Sequence, residues 1–259
     1  MILRRLSQSL KEQNWTAIWI EFFLLVAGVF LGIQAANWNE QRTIDRKAKV
    51  FTERLREDLR VEVWRLAALN NYYDDVVANV TKTMDALEGR AVLSNEALLI
   101  AAYRATQYSE FVQYRATYDE LTSTGNIGLI SDLPLRRMAT ETYGTKLYEN
   151  VKNEGINSAY RVDFRMRIPS DVQVAIASNC GDKSSDINNY DSIIKPLDYP
   201  CATGLPKQAI DSAAAILRAD ATLVPLLRLR RANIYSATST QLMSDEVLAN
   251  LRALSKGKP

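Results

Sequence analysis

Apolar residues run almost unbroken through "AIWIEFFLLVAGVFLGIQAA", Ala17 to Ala36, where only Glu21 and Gln34 are strongly polar. About 20 residues at about 1.5 Å each cover a hydrocarbon core of about 30 Å, so the pattern predicts a transmembrane helix over residues 15–38. Trp15 and Trp19 stand at one end and Trp38 at the other. Indole rings favour the headgroup level, and all three are expected at the membrane interfaces. A buried core helix can share this composition, but no other stretch of the chain is as apolar for as long. A cleaved signal peptide ending near Ala35 or Ala36 is a second rival. The expectation here is an uncleaved signal anchor.

Beyond the apolar run the period changes from continuous to helical. No Gly or Pro occurs between Gly32 and Gly89. Ile44, Ala48, Phe51, Leu55 and Leu59, then Leu66, Tyr73, Val77, Val80, Met84 and Leu87, recur at steps of three, four and seven. That spacing marks one face of a long helix. The membrane helix is therefore expected to continue outward to about Glu88, with a break near Asn37–Asn39. The stripe fits either a coiled-coil seam or the buried face of a helix in a bundle. Ser94 is placed to cap a helix over "NEALLIAAYRATQ". A helix around Thr117–Thr124 is expected to end at Gly125. Asp132 is placed to cap a single helix over "LPLRRMATETYGTKLYENVKN", with Pro134 tolerated in its first turn. "SAYRVDFRMRI" predicts a short helix stopped by Pro169, followed directly by a polar loop. Pro206 opens "KQAIDSAAAILRA", and Leu227, Ile234, Leu248 and Leu251 share a face of a last helix. The fold class is all-α: an N-terminal transmembrane helix continuing into a long helix, then a periplasmic helical bundle.

Composition adds little, but charge and cysteines bear on topology. The chain is 47% hydrophobic and 24% charged, with a net charge of +2. That balance gives no basis for a nucleic-acid partner. Arg4, Arg5 and Lys11 before the span favour an inside N terminus, while Arg42, Arg46, Lys47, Lys49, Arg54 and Arg56 after it argue the other way. The two cysteines, Cys180 and Cys201, bracket a polar loop containing Gly181, Pro196 and Pro200. An even pair closing such a loop reads as a disulfide formed in an oxidising compartment. Two unrelated buried thiols are the alternative. The disulfide reading decides the orientation: residues 1–14 form a short cytoplasmic segment, 15–38 the transmembrane helix, and 39–259 a periplasmic all-helical domain with a long stalk helix. The expected location is a bacterial inner membrane, single-pass, with the C-terminal domain in the periplasm.

The search for chemistry returns little. The chain has no histidine, which removes His-based triads, His general bases and His metal ligands. "SIIK" at Ser192–Lys195 matches the Ser-x-x-Lys spacing of acyl-enzymes, but it lies in a Pro-rich loop without a Lys-Thr-Gly element. "DKSSDINNYD" spaces oxygen ligands like a calcium loop but lacks the central glycine and terminal glutamate of an EF-hand. "GNIG" at Gly125–Gly128 is too short for a phosphate cradle and reads as a helix–helix corner. Tyr72, Tyr73, Tyr143 and Tyr148 fit either a pocket between helices or the edge of a core. Arg161, Arg165 and Arg167, with Arg228, Arg230 and Arg231, fit either an anion site or a solvated face. No catalytic residue, cofactor or metal is expected.

The positive signal lies in the span. Gly28 and Gly32 form a Gly-x-x-x-Gly motif, with Glu21 two turns earlier and Ala35 and Ala36 extending the small-residue spacing. Such faces let helix backbones approach closely in lipid, and an intramembrane carboxylate is usually turned toward protein or water. Gln34 projects from a different side. The order Glu21, Gly28, Gln34 and then "NWNE", Asn37 to Glu40, resembles a family of bacterial single-pass membrane proteins of unknown function. The resemblance extends to "TYDELTSTGNIGLISDLPLRR", residues 117 to 137. It implies the topology and a helical domain, and no activity. Function is therefore expected to be that of a non-enzymatic membrane-anchored accessory or scaffold subunit. Its partners are the lipid bilayer and either itself or a membrane-protein complex. The alternative is a periplasmic sensor or ligand-binding domain signalling through a partner.

Overall fold

The computed structural model describes residues 15–110, 112–183 and 196–239. Every helix or strand element among them is helical, and no strand occurs among them. The first helix, α1, spans Trp15–Leu87 without interruption. The break expected near Asn37–Asn39 is absent, because no Pro or Gly removes a backbone hydrogen bond or loosens the turn there. The helix stops where Gly89 takes φ 74°, a left-handed conformation that suits glycine.

Eight further helices follow: α2 (Asn95–Arg104), α3 (Ala116–Ser123), α4 (Leu133–Gly144), α5 (Leu147–Ile156), α6 (Ala159–Arg167), α7 (Ser170–Cys180), α8 (Lys207–Ala219) and α9 (Leu223–Ser239). A short 3-10 turn, Asn126–Leu129, lies between α3 and α4. Ser94 caps α2, accepting from the Ala97 amide at 3.1 Å, and Asp132 caps α4, accepting from the Leu135 amide at 3.1 Å. Gly125 turns the chain after α3 with φ 71°, whereas Gly128 has no positive φ. Two expectations are corrected. The single helix predicted from Leu133 is two helices, because Thr145 adopts an extended conformation after Gly144. The Thr145 hydroxyl then accepts from the Leu147 amide at 3.2 Å, satisfying a donor at the start of α5. The polar loop does not follow Pro169 directly, because α7 intervenes, burying Val172, Ile176 and Cys180 at steps of four. Leu248 and Leu251 lie outside the described residues.

The chain divides into two compact units, residues 1–53 with 128–131, and residues 54–127 with 132–259. In the first, residues 15–53 of α1 include no buried residue. In the second, α1 is enclosed. Leu55, Leu59, Val76 and Val80 are fully buried, and Val61 through Trp64 are four consecutive buried residues. A helix with a single buried stripe exposes two or three residues per turn, so this run requires neighbours on several sides. In the same unit α2 packs on α7 and α8, and α9 packs on α5 and α6. The stripe read from Ile44 is thus buried only from Leu55 onward.

Candidate functional site

The residues expected to form an association face lie on the apolar end of α1. At about 100° per residue, Glu21, Gly28, Gly32 and Ala35 fall within a sector of about 60°, with Ala36 at its edge and Gln34 well outside it. All of them are exposed, and nothing lies within 4 Å of a Cβ built at Gly28 or Gly32. An 18-residue window of α1 has a mean hydropathy of 2.2 and no buried residue, so this helix is long and apolar enough to cross a membrane. Trp15, Trp19 and Trp38 are 59%, 66% and 61% exposed. The Arg42 guanidinium lies over the Trp38 ring, 3.6 Å from its centroid, a cation–π contact at the polar end of the apolar run.

The second unit carries a buried polar tract that the sequence reading missed. Asp58 and Glu62 project from α1 into the interior, 7% and 0% exposed. Asp58 accepts from the Thr117 amide at 2.9 Å, in the first turn of α3. Arg115, at the N-cap position of α3, makes no side-chain cap. Asp58 therefore supplies from another helix the acceptor that an N-cap residue ordinarily provides. Glu62 accepts from the Tyr114 amide at 3.1 Å, and Arg65 donates to the Val112 carbonyl. Burial pushes the Glu62 carboxyl above its usual range, opposed by the Tyr148 hydroxyl, the Tyr114 amide, Arg65 and Arg115. Burial also raises Tyr143 and Tyr148, with the Glu62 charge acting in the same direction. A signal was available: Glu62 lies seven residues after Leu55 and four before Leu66, on the apolar face itself.

Cys180 and Cys201 are disulfide-bonded, with their Cα atoms 5.5 Å apart. Arg104, 6% exposed, is built around them. Its guanidinium donates to the Cys180 carbonyl at 3.0 Å and the Tyr199 carbonyl at 3.2 Å, and lies 4.4 Å from the Tyr199 ring centroid. The arginines grouped in the sequence do not form one site. Arg230, 1% exposed, pairs with Glu154, Arg167 pairs with Asp163 and Asp220, and Arg228 pairs with Glu88 at 2.5 Å. Arg161 donates to the Thr106 carbonyl at 2.8 Å. Tyr72, Tyr73, Tyr143 and Tyr148 are all buried. Tyr72 donates to Asp182 at 2.8 Å and Tyr73 to the Val151 carbonyl at 3.1 Å.

A cleft of about 620 Å³ opens between α1 and α9, lined among others by Asn70, Tyr73, Asp74, Arg231 and Tyr235. Among the described residues no cluster of three or more His, Cys, Asp or Glu side chains is placed to hold a metal. The Ser192–Lys195 motif lies outside the described residues, as does most of the calcium-like loop.

Among the described residues, these features define an all-helical protein in which one end of α1 is apolar and exposed and the other is enclosed. Residues 21–162 match the model of a family of unknown function, DUF6090. That is more than half of the chain, and the protein belongs to this family. The matched region runs from Glu21 into α6 and ends before the disulfide. No curated protein and no solved structure matches the chain.

Proposed function

We propose that the protein is a non-enzymatic, membrane-anchored accessory or scaffold subunit. Residues 15–38 cross a bacterial inner membrane once, residues 1–14 lie in the cytoplasm, and residues 39–259 form a periplasmic domain. Association runs through the face of Glu21, Gly28, Gly32, Ala35 and Ala36, against a second copy or a helix of a membrane complex. The observation that carries this reading is the contrast along α1. Its apolar part is exposed on every side, and small residues lie together on one sector of it. In lipid, close backbone packing replaces the hydrophobic drive, and small residues permit it. The disulfide supports an oxidising compartment for the helical unit. The test is co-purification in mild detergent of the wild type and of Gly28→Leu with Gly32→Leu. Loss of a stoichiometric partner or of self-association, with insertion intact, supports the proposal. Unchanged association sinks it.

A second reading is favoured by the cleft between α1 and α9. Asp74 and Arg231 place opposite charges on its two helices, beside the aromatic rings of Tyr73 and Tyr235. This arrangement suits a small ligand carrying both charges, as expected of a sensor domain. Native mass spectrometry of protein released gently from membranes decides it: a bound mass that Arg231→Ala abolishes favours the sensor, and a bare chain favours the scaffold.

A further inference from the structure

The tract around Glu62 is built like a latch. Residues 112–115 have no regular secondary structure, so side chains from other elements satisfy their backbone. Arg65 takes the Val112 carbonyl and Glu62 takes the Tyr114 amide at 3.1 Å. In return, Gln113 donates to the Thr142 carbonyl and Arg115 to the Tyr143 carbonyl, each at 3.2 Å. One carboxyl, fully buried, thus sits beneath a short irregular segment that has no hydrogen-bonded ladder of its own. The Glu62 Oε1 atom is buried without a hydrogen bond of ordinary geometry, as is the Tyr143 hydroxyl. Burying polar atoms in that condition is unfavourable, which marks the tract as a weak point in the packing.

We infer that Glu62 is a proton-operated latch: residues 112–115 are held on α1 while its carboxyl is protonated and loosen when it ionises. The charged and titratable groups that face it are Asp58 and Arg65 from α1, Arg115 from the segment itself, Tyr143 from α4 and Tyr148 from α5. The two arginines and the Tyr114 amide favour the charged form. Burial opposes it and is the larger influence, so the closed arrangement binds the proton more tightly than an open, hydrated one. The sign follows from linkage. Ionisation begins to favour opening at the ordinary carboxyl value of 4.5, and its effect levels off above the raised value of the closed state. The latch is therefore tight in mild acid and loose at higher pH.

Hydrogen exchange at the Tyr114 amide, read as a protection factor across pH on the full-length protein in mild detergent, tests this. Protection is expected to fall by up to about tenfold per pH unit within that window and then to level off. Glu62→Gln keeps the acceptor for the amide and removes the charge, so its protection is expected to stay flat. Tyr148→Phe removes a hydroxyl that favours the ionised carboxyl in the closed state, so the fall is expected to continue to higher pH before it levels off. That second variant also keeps the inference testable if Glu62→Gln does not fold. A wild-type protection factor independent of pH overturns the latch. So does Glu62→Gln tracking the wild type, or a levelling-off in Tyr148→Phe at the same pH as in the wild type.

Discussion

Residues 15–53 and 54–87 belong to one uninterrupted helix and live in opposite surroundings. The first stretch has no buried residue, although Phe23 and Leu25 are 71% and 67% exposed. The second carries Leu55, Leu59 and Leu69 fully or almost fully buried, and three carboxylates, Asp58, Glu62 and Asp75, buried as well. Both are helical for the same reason: neither contains Pro, and no Gly interrupts the chain between Gly32 and Gly89. What differs is how polar groups are treated. In the exposed half, polar side chains after Trp38 face outward on all sides. In the enclosed half, the buried carboxylates of Asp58 and Glu62 each meet a backbone amide. Continuity of a helix therefore says nothing about its environment. Burial has to be read from the partners that the side chains find.

The sharpest way to separate the halves is to disturb the enclosed one. Arg230→Ala leaves the Glu154 carboxyl buried without its ion pair and is expected to cost about 3–5 kcal/mol in denaturant unfolding. Leu31→Ala, in the exposed half, is expected to leave the same transition unchanged. Replacing both cysteines by alanine comes next, at about 3 kcal/mol for a loop of about 20 residues. The transition midpoint in the presence and absence of reductant checks this. Glycines provide a third comparison. A Cβ at Gly155 comes to 2.1 Å from the Tyr108 Cβ, so Gly155→Ala forces Tyr108 away from α5. The expected cost is about 1–3 kcal/mol by thermal unfolding. Gly28→Ala and Gly32→Ala meet open space and are expected to leave the unfolding of the helical unit untouched.

The smallest expected effect concerns pH. Glu62, Glu154 and Asp182 all have carboxyls raised chiefly by burial. A raised carboxyl means that the folded state holds its proton more tightly, so stability is full below the ordinary value and is lost as pH rises toward the raised one. Unfolding free energy is therefore expected to decline from mild acid toward neutrality. Glu62→Gln is expected to flatten part of that slope, matching the wild type in acid and exceeding it at neutral pH.

Much of this architecture was legible. The caps at Ser94 and Asp132, the turn at Gly125 and the end of α1 near Gly89 depend on local chemistry, which sequence carries directly. The split at Thr145 and the existence of α7 were not read. The first depends on one residue leaving the helical conformation within an otherwise periodic stretch. The second depends on a short helix that begins right after a proline and buries only Val172, Ile176 and Cys180. The Asp58 and Glu62 tract was hidden for a different reason. Their partners, Thr117 and Tyr114, are more than fifty residues away along the chain, and acidic residues in a long helix ordinarily face water. The small-residue sector of Gly28, Gly32 and Ala35 was legible as a pattern, because helical spacing alone places these residues on one side of α1.

We propose that the sector containing Gly28, Gly32 and Ala35 meets protein within the membrane. A photo-crosslinking side chain placed in turn at each position from 24 to 36, in native membranes, tests it most directly. Protein adducts are expected to peak at positions 28, 32 and 35, with lipid adducts at the positions between. A uniform yield around the helix, or lipid adducts at every position, contradicts it.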